Sequence, residues 1–371
     1  MSNQNLTKAK NRQEDEFYTQ YKDIEKEISA YFDYNNDVFR NKTILLPADN
    51  PFKSNFFKYF ALHFKDYGLK RLIATNYDLN PSINQQLSLF GNNEPIEKES
   101  KAYKAELTRE FNSETVSSAK DIDDYLQIEK AKLSSPESSS VLSYLHGDNI
   151  FEPGDFRSKE VTQLKDQSDI IITNPPFSLF RDFIKWIGPY EKKFLIMGTI
   201  NVVSYREIIP LVKDNIIHLG TSNGTTNFKV PNSYAPCKNR FWIDEVGQKW
   251  RSLGNVEWLT NLEHGKQHQF LPLMTMKDNL EHSPHKKVRE GHSYMKYNNY
   301  DAIEVPFVDA IPSDYRGAMG VPITFLNKYN PDQFEIERFR KGNDGKDLTY
   351  TENGKPVYPY ARIIIRAKKE S

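Results

Sequence analysis

The sequence predicts an α/β fold built on a doubly wound, mostly parallel β-sheet. Five candidate strands alternate with candidate helices over the first 200 of the 371 residues, and this alternation is typical of parallel sheets. One candidate strand, 169–173, reads DIIIT, and such a run of branched apolar residues predicts a strand buried on both faces. Functional groups are therefore expected in the loops at the carboxyl ends of the strands.

The first part of the chain predicts one helix followed by a strand–helix–strand unit. Apolar residues at helical spacing predict an amphipathic helix within 15–32. A strand is expected at 43–48 and a second at 71–75. Between them the aromatic segment SNFFKYFALHF predicts a helix whose first turn Ser54 would cap. These elements supply two strands of the parallel sheet.

Residues 81–140 differ in character and are rich in Ser, Glu, Lys, Asn and Gln. Such a composition predicts a polar peripheral insertion of helices and loop. The alternation then resumes with a strand at 141–147, a polar helix from Ser158, the strand at 169–173, a helix at 179–187 and a strand at 192–200. We therefore expect a core domain at 1–200 that contains this insertion.

The chain after residue 200 predicts less regular structure. Short strands and turns are expected over 201–300. The tail, 301–371, regains order in the segments VPITFL and ARIIIRA, with a helix around FEIERFRK, and is expected to pack on the core. The sequence thus predicts three consecutive parts with boundaries near 200 and 300.

Composition restricts the classes of function. Lys plus Arg and Asp plus Glu number 50 each, so any nucleic-acid surface must be a local basic patch. The single Cys237 excludes a disulfide framework and a Cys-rich zinc site, and the His residues follow no zinc spacing, so we expect no metal. A polar start and the lack of a membrane-spanning apolar run predict a cytoplasmic protein.

The sequence Asn174-Pro175-Pro176-Phe177 directly follows the buried strand at 169–173. The side-chain carbonyl of Asn174 and the backbone carbonyl of Pro175 can accept the two hydrogens of a planar amino group, such as the N6 amine of adenine. Methyl transfer to that nitrogen then needs alignment more than acid or base strength. The prolines stiffen the loop, and Phe177 offers a ring on which an extruded base can stack. The motif predicts a catalytic centre for amine methylation.

The same four residues have other interpretations. Asn and Pro favour turns between a strand and a helix, although an NPP-aromatic sequence would arise by chance in such a chain roughly once in a hundred cases. Enzymes that methylate protein glutamine also use this kind of motif, and methylation of cytosine N4 or DNA binding without catalysis are further alternatives. The Asn before the prolines favours adenine over cytosine, and the long region after the catalytic strand favours DNA over protein.

Six separated blocks resemble the EcoRI-type adenine-N6 DNA methyltransferases of restriction–modification systems. They are DEFYTQY (15–21), SNFFKYFA (54–61), GDFRS (154–158), SDIIITNPPFSLFR (168–181), KKFLI (192–196) and GVPITFL (320–326). The resemblance covers nearly the whole chain apart from 81–140. It implies the fold of the methyltransferases that use S-adenosylmethionine, this molecule as cofactor, and methylation of the inner adenine of GAATTC.

The resemblance also implies which residues hold the cofactor. The implied contacts are Phe17, Tyr18 and Thr19 around the methionine end, Asp49 near the methionine amine, Asp78 at the ribose hydroxyls, and Asp155 with Phe156 at the adenine. Without the resemblance, these Asp residues would be interpreted as loop caps. The loop after the first strand reads PADNPF and lacks the glycine-rich turn that normally lets backbone approach a ligand. The EcoRI-type proteins share this departure.

Residues 201–300 are the expected target-recognition region. Between Lys229 and Lys296 there are eleven Lys or Arg against seven Asp or Glu, an excess sufficient for phosphate contacts. The residues expected to contact DNA, the Asn side chains by reading base edges, are Asn223, Asn227, Lys229, Lys286, Lys287 and Arg289. The expected partner is duplex DNA, bound by a monomer, with a cognate restriction endonuclease that acts on the same site without forming a stable complex.

Overall fold

The structure, a computed structural model, describes residues 18–77, 102–109, 111–112, 116–133, 140–230, 232, 234–237, 240–290, 294–340 and 348–368. The chain forms two compact units. Unit 1 comprises residues 1–198 and 224–262, and unit 2 comprises residues 199–223 and 263–371. Unit 1 thus takes in part of the segment that is predicted to recognise DNA.

A large mixed sheet forms the centre of the fold. Its strands are β1 (Thr43–Leu46), β2 (Arg71–Thr75), β3 (Tyr103–Thr108), β4 (Leu142–Tyr144), β5 (Ile170–Thr173), β6 (Lys193–Thr199), β7 (His218–Lys229), β8 (Phe241–Ile243) and β9 (Lys249–Thr260). The strand order is β4-β3-β2-β1-β5-β6-β9-β7, and β8 pairs with β9. The four neighbours β2, β1, β5 and β6 are parallel. The predicted α/β class is confirmed.

The parallel strands form where the sequence is continuously apolar. Every residue of β1 and of β5 is buried, as expected for strands that are covered on both faces. The carboxyl ends of β1 and β5 lie side by side, because Ile44 pairs with Ile170 and Leu45 with Ile171. The loops that follow these two strands are thereby brought together at one sheet edge.

Five α-helices accompany this sheet in the described part of unit 1. They are α1 (Tyr21–Tyr34), α2 (Asn55–Leu62), α3 (Ala119–Lys132), α4 (Lys159–Gln167) and α5 (Phe180–Ile187). Ser54 caps α2, as predicted, and its Oγ accepts hydrogen bonds from the backbone N–H groups of Phe56 and Phe57. The apolar face of α1 is also confirmed, since Ile24, Ile28 and Tyr31 are buried in the core.

The prediction of a peripheral insertion at 81–140 is wrong for residues 103–108. They form β3, which lies inside the sheet and pairs antiparallel with both β2 and β4. Its buried side chains alternate with partly exposed ones, so that Tyr103, Ala105 and Leu107 face inward. The Lys and Glu residues between them gave the segment its polar composition, while the inward-facing positions carry the strand pattern.

Unit 2 contains a smaller sheet and short helices. The helices are α6 (Ile209–Lys213), α7 (Met276–His282) and α8 (Lys286–Glu290). The strands are β10 (Ile303–Glu304), β11 (Met319–Pro322), β12 (Phe334–Arg340), β13 (Tyr350–Glu352), β14 (Lys355–Val357) and β15 (Arg362–Ala367). Four of them form a sheet in the order β10-β11-β15-β12, and β13 pairs with β14.

The prediction of a helix around FEIERFRK is wrong. This segment is β12, which pairs antiparallel with β15 and has a register shift between Ile336 and Arg338. The shift interrupts the alternation of apolar residues, so the strand pattern is obscured in the sequence. No helix in the described ranges is long and apolar enough to cross a membrane.

Candidate active site

A cleft in unit 1 opens where the chain leaves β1, β2 and β5. It encloses about 1050 Å³ including its open mouth. The predicted site residues that line it are Tyr18, Thr19, Asp49, Asp155, Phe156, Asn174 and Pro176. Residues from four separate loops therefore meet at the sheet edge where function was expected.

Asn174 stands at the end of β5, half-buried at the wall of the cleft. Its amide Nδ2 donates a hydrogen bond to Oγ1 of Thr19 over 3.3 Å, and Thr19 Oγ1 in turn donates to Sδ of Met197 over 3.2 Å. The hydroxyl hydrogen of Thr19 is used toward Met197, so its oxygen acts as an acceptor toward Asn174. The end of the Asn174 amide that faces Thr19 is therefore the nitrogen. The carbonyl oxygen Oδ1, which is buried, is then the end of the amide that can accept a hydrogen bond.

The rest of the motif forms a tight corner. Pro175 is buried, and Phe177 begins a short 3-10 helix, Phe177–Leu179. The backbone N–H of Leu179 donates to the carbonyl of Pro176 over 3.0 Å, which closes the turn. Pro175 and Phe177 are not among the residues that line the cleft. Phe177 is half-buried beside it.

Thr19 joins three parts of the site. The residue is buried, its hydroxyl contacts Asn174, and its carbonyl accepts from Nδ2 of Asn55 at the start of α2 over 2.7 Å. One residue earlier, the N–H of Tyr18 donates to the carbonyl of Lys229 over 2.9 Å. The segment before α1 is thereby fastened between the start of α2 and the end of β7.

Asp49 lies buried at the bottom of the cleft, just after β1. Its two carboxylate oxygens accept hydrogen bonds from Oγ of Ser54 over 2.7 Å and from Oγ1 of Thr173 over 2.6 Å. Burial raises the pKa of Asp49 from its ordinary value of 3.8 to about 6, although the two hydroxyls lower it in part. A buried carboxylate whose donors are neutral hydroxyls is suited to receive a cation.

The loop before α4 forms another wall of the cleft. Both carboxylate oxygens of Asp155 accept from the guanidinium of Arg157, at 2.9 and 2.7 Å. The ring of Phe156 is buried and packs edge-on against Phe183 and Trp186 of α5. Gly154, two residues before Phe156, has φ +79°, and an added Cβ would lie 1.8 Å from the carbonyl oxygen of Asn76. Only glycine permits this close approach of the two loops.

Several cleft residues were missed by the sequence analysis. They are Lys53, Ser54, Asn55, Asn76 and Tyr77. Asn76 directly follows β2, and its side-chain oxygen accepts from the N–H of Tyr103 over 2.8 Å. The rule that functional residues follow parallel strands could have identified Asn76, whereas Asp78 was implied by the family resemblance. Phe17 and Asp78, the remaining predicted cofactor residues, lie outside the described residues.

The residues predicted to contact DNA are divided between the two units. In unit 1, Asn227 and Lys229 are exposed on alternate positions of β7. In unit 2, Asn223 is exposed on the same strand, and Lys286 pairs with Glu290 over 3.3 Å.

Two of the predicted cations in unit 2 are engaged with their own chain. Nζ of Lys287 donates to the hydroxyl of Tyr350 over 3.2 Å, and the guanidinium of Arg289 donates to the carbonyl of Ser283. Within the described ranges, no three His, Cys, Asp or Glu side chains gather as metal ligands would.

The chain is similar in sequence to a family of known methyltransferases. The family model for the "Adenine-specific methyltransferase EcoRI" matches residues 5–368. The type II methyltransferase M.EcoRI of Escherichia coli is 40% identical over 370 residues, which cover 99% of this chain and 98% of the relative. The type II methyltransferases M.MpnI of Mycoplasma pneumoniae and M.MgeORF184P of Mycoplasma genitalium are each 31% identical over 335 residues, 89% of this chain and 84% of either relative. No solved structure matches the chain.

Proposed function

Because the chain belongs to the EcoRI family of adenine-specific methyltransferases, we propose that it transfers the methyl group of S-adenosylmethionine to N6 of an adenine in duplex DNA. Membership of this family makes the protein an adenine-specific DNA methyltransferase of the type II systems. It excludes methylation of protein glutamine and of cytosine N4. The proposal adds the methyl donor, the atom that is methylated and the residues that act. The observation that carries it is the amide of Asn174, oriented by Thr19 at the wall of a cleft that contains Asp49.

The cleft has the chemistry that S-adenosylmethionine requires. Asp49 is a buried carboxylate with hydroxyl donors, and we assign it to the ammonium group of the methionine part. Phe156 offers a buried ring for the adenine, and the carboxylate of Asp155, held by the guanidinium of Arg157, lies in the same wall of the cleft. The close approach of Gly154 to Asn76 shapes the wall between these two ends. When bound, the cofactor supplies an electrophilic methyl group on a sulfonium.

The residues of the chain hold the target base for this reaction. Oδ1 of Asn174 and the backbone carbonyl of Pro175 accept the two hydrogens of the adenine amine, which aligns the nitrogen lone pair. Phe177 stacks on the base after it leaves the duplex. The corner closed by the bond from Leu179 to Pro176 keeps these groups in place, so little reorganisation is required when the base arrives.

The finer features of the proposal follow the family resemblance. The target is GAATTC, and its inner adenine is methylated. The methionine end of the cofactor is surrounded by Phe17, Tyr18 and Thr19, and Asp78 binds the ribose hydroxyls. DNA is contacted through the six residues predicted above. The enzyme acts in the cytoplasm as a monomer, beside a restriction endonuclease that cuts the same sequence and forms no stable complex with it.

The proposal is tested by incubating the protein with methyl-labelled S-adenosylmethionine and a duplex that contains GAATTC, followed by nucleoside analysis. We expect label in N6-methyladenine and no transfer to a duplex whose inner A–T pairs are replaced by G–C pairs. Label in the protein, or no label despite retained DNA binding, would contradict the proposed reaction. Equal transfer to both duplexes would contradict the proposed site alone.

A further inference from the structure

Beyond the cleft, three neighbouring strands of unit 1 carry two tryptophans and a lysine on one face. Trp242 of β8 lies directly opposite Trp250 of β9 in the antiparallel register. Their rings are parallel, with 5.9 Å between centroids and 2° between planes. Nζ of Lys229, at the end of β7, lies 5.5 Å from the centre of the Trp250 ring. We call Lys229, Trp250 and Trp242 the tryptophan strip.

The opposite face of the same strands is covered by the chain in part, although Ile243 of β8 is 55% exposed there. The ring of Tyr234 stacks on Phe241, with 6.3 Å between centroids and 14° between planes. Nζ of Lys249 donates to the carbonyls of Asn232 and Tyr234 over 2.6 and 3.0 Å. The tryptophan strip is accessible, because Trp242 is 39% exposed and Lys229 is exposed.

The strip is held rigid. Nε1 of Trp250 donates to Oδ2 of Asp244 over 2.9 Å, and Oδ1 of Asp244 accepts from the N–H groups of Val246 and Gln248. These bonds, that of Trp250 first, hold the pKa of Asp244 below its usual range. An ordered pair of indoles at the surface is a common feature of binding surfaces, because large apolar side chains are otherwise buried.

The strip is continuous with the cleft. The carbonyl of Lys229 accepts from the N–H of Tyr18, and Tyr18 lines the cleft beside Thr19. Asn227 is exposed two residues before Lys229, at the next position on that face of β7. The strip therefore extends from the wall of the cleft along the surface of unit 1.

The charge around the strip suits a polyanion. Described residues 227–230 and 240–251 carry four cations against the two carboxylates Asp244 and Glu245, but Lys249 and Arg251 lie on the opposite face of β9, so Lys229 and Arg240 are the cations that the strip can use. Asp244 already accepts three hydrogen bonds from its own hairpin. A local excess of cations with aromatic rings between them is the pattern of nucleic-acid surfaces.

We propose that the tryptophan strip binds duplex DNA next to the target adenine. Lys229 contacts a backbone phosphate, and the two indoles pack against the sugars and bases that flank the flipped nucleotide. Apolar wedges of this kind stabilise DNA from which a base has been displaced. The inference rests on the proposed function, because it takes the substrate to be duplex DNA.

Lys229→Gln tests the phosphate contact. The dissociation constant of the full-length protein for a GAATTC duplex is measured from 50 to 300 mM salt, with Lys120→Gln, an exposed cation on α3, as control. Loss of one phosphate contact is expected to reduce the slope of log K against log salt by about 0.9. Lys120→Gln is expected to leave the slope unchanged.

Trp242→Ala tests the indole contact. We expect it to weaken DNA binding about tenfold, with Trp242→Phe close to wild type because an aromatic face is kept. Ile128→Ala, which removes another exposed apolar side chain, is expected to have no effect. Binding of S-adenosylhomocysteine, followed by calorimetry, is expected to be the same in all variants, which shows that the cleft is intact.

An unchanged salt slope for Lys229→Gln together with unchanged affinity for Trp242→Ala would overturn the inference. If Trp242→Ala loses S-adenosylhomocysteine binding, the slope of Lys229→Gln alone decides, because that side chain is exposed. If the wild type methylates DNA and both variants bind DNA with wild-type affinity and salt dependence, the strip does not bind DNA and the inference is wrong. If the wild type binds DNA but transfers no methyl group, the reaction proposed above fails while the variants still test the strip.

Discussion

Two buried carboxylates in this protein have opposite surroundings. Glu304 of unit 2 accepts from the guanidinium of Arg362, with 2.6 Å between Nη2 and Oε1, and from the hydroxyl of Tyr297. Asp49 of unit 1 accepts from two neutral hydroxyls and lines a cleft. The first carboxylate is compensated by a cation of the fold, whereas the second accepts from hydroxyls, and we propose that the ammonium group of the cofactor compensates it. On that proposal, the comparison separates a structural charge from one that binds a ligand.

The largest expected effect is on the compensated pair. Arg362→Met leaves the carboxylate of Glu304 buried without its cation, and we expect it to lower the free energy of unfolding by about 3–5 kcal/mol. Denaturant unfolding followed by circular dichroism measures this change. Adding Glu304→Gln to Arg362→Met is expected to restore most of the loss, since the buried charge is then gone. A double variant as unstable as the single one would show that the charge is not the cause.

The second expected effect is a pH dependence of stability that Asp49 causes. Its folded-state pKa is raised to about 6, so its contribution to folding is fully present below about pH 3.8 and is lost as pH rises through 6. A shift of this size corresponds to about 3 kcal/mol. Without cofactor, Asp49→Asn is therefore expected to become more stable relative to wild type by about that amount between pH 4 and 7. Parallel stability curves would contradict this account.

Cofactor binding is expected to respond in the opposite direction. The ammonium of S-adenosylhomocysteine favours the ionised carboxylate, so wild-type affinity is expected to increase as pH rises through 6. Asp49→Asn removes the charge-assisted bond, worth about 2 kcal/mol or roughly thirtyfold in affinity, and flattens the pH profile. Calorimetric titrations from pH 5 to 8 measure both. Equal affinities at pH 8 would show that Asp49 receives no cation.

A smaller effect is expected at Thr19. Thr19→Val keeps the shape of the side chain and the carbonyl that binds Asn55, but it removes the hydroxyl that orients Asn174. Loss of about 1 kcal/mol is expected to lower kcat about fivefold, with affinity for DNA unchanged. Thr19→Ser is the matched control and is expected to retain most of kcat. A change confined to KM would assign Thr19 to binding instead of positioning.

The elements that were predicted correctly are those whose residue pattern is uniform along the sequence. The apolar runs of β1 and β5, the cap at Ser54 and the corner after Thr173 are local features, and the structure has each of them. Conversely, β3 and β12 mix apolar positions with Lys, Glu and Arg, and a strand is recognisable there only through its neighbours.

The candidate site was likewise predictable only where a local sequence pattern marks its residues. Asn174 was predicted because the end of β5 is visible in the sequence, whereas Asp49, which follows β1, was implied by the family resemblance. The contact between Asn174 and Thr19 joins residues 155 positions apart, and the approach of Gly154 to Asn76 depends on two loops meeting in space. The register of β8 with β9, which places Trp242 against Trp250, likewise has no signal in composition.

The central claim is that Oδ1 of Asn174 holds the amine that is methylated. It is tested most directly by single-turnover methylation of a GAATTC duplex by wild type and Asn174→Ala, with DNA and S-adenosylhomocysteine affinities measured on the same preparations. Loss of a preorganised group at the reacting centre is expected to lower the rate about 10²–10³-fold, with both affinities within a few-fold of wild type. A rate within a few-fold of wild type would contradict the claim.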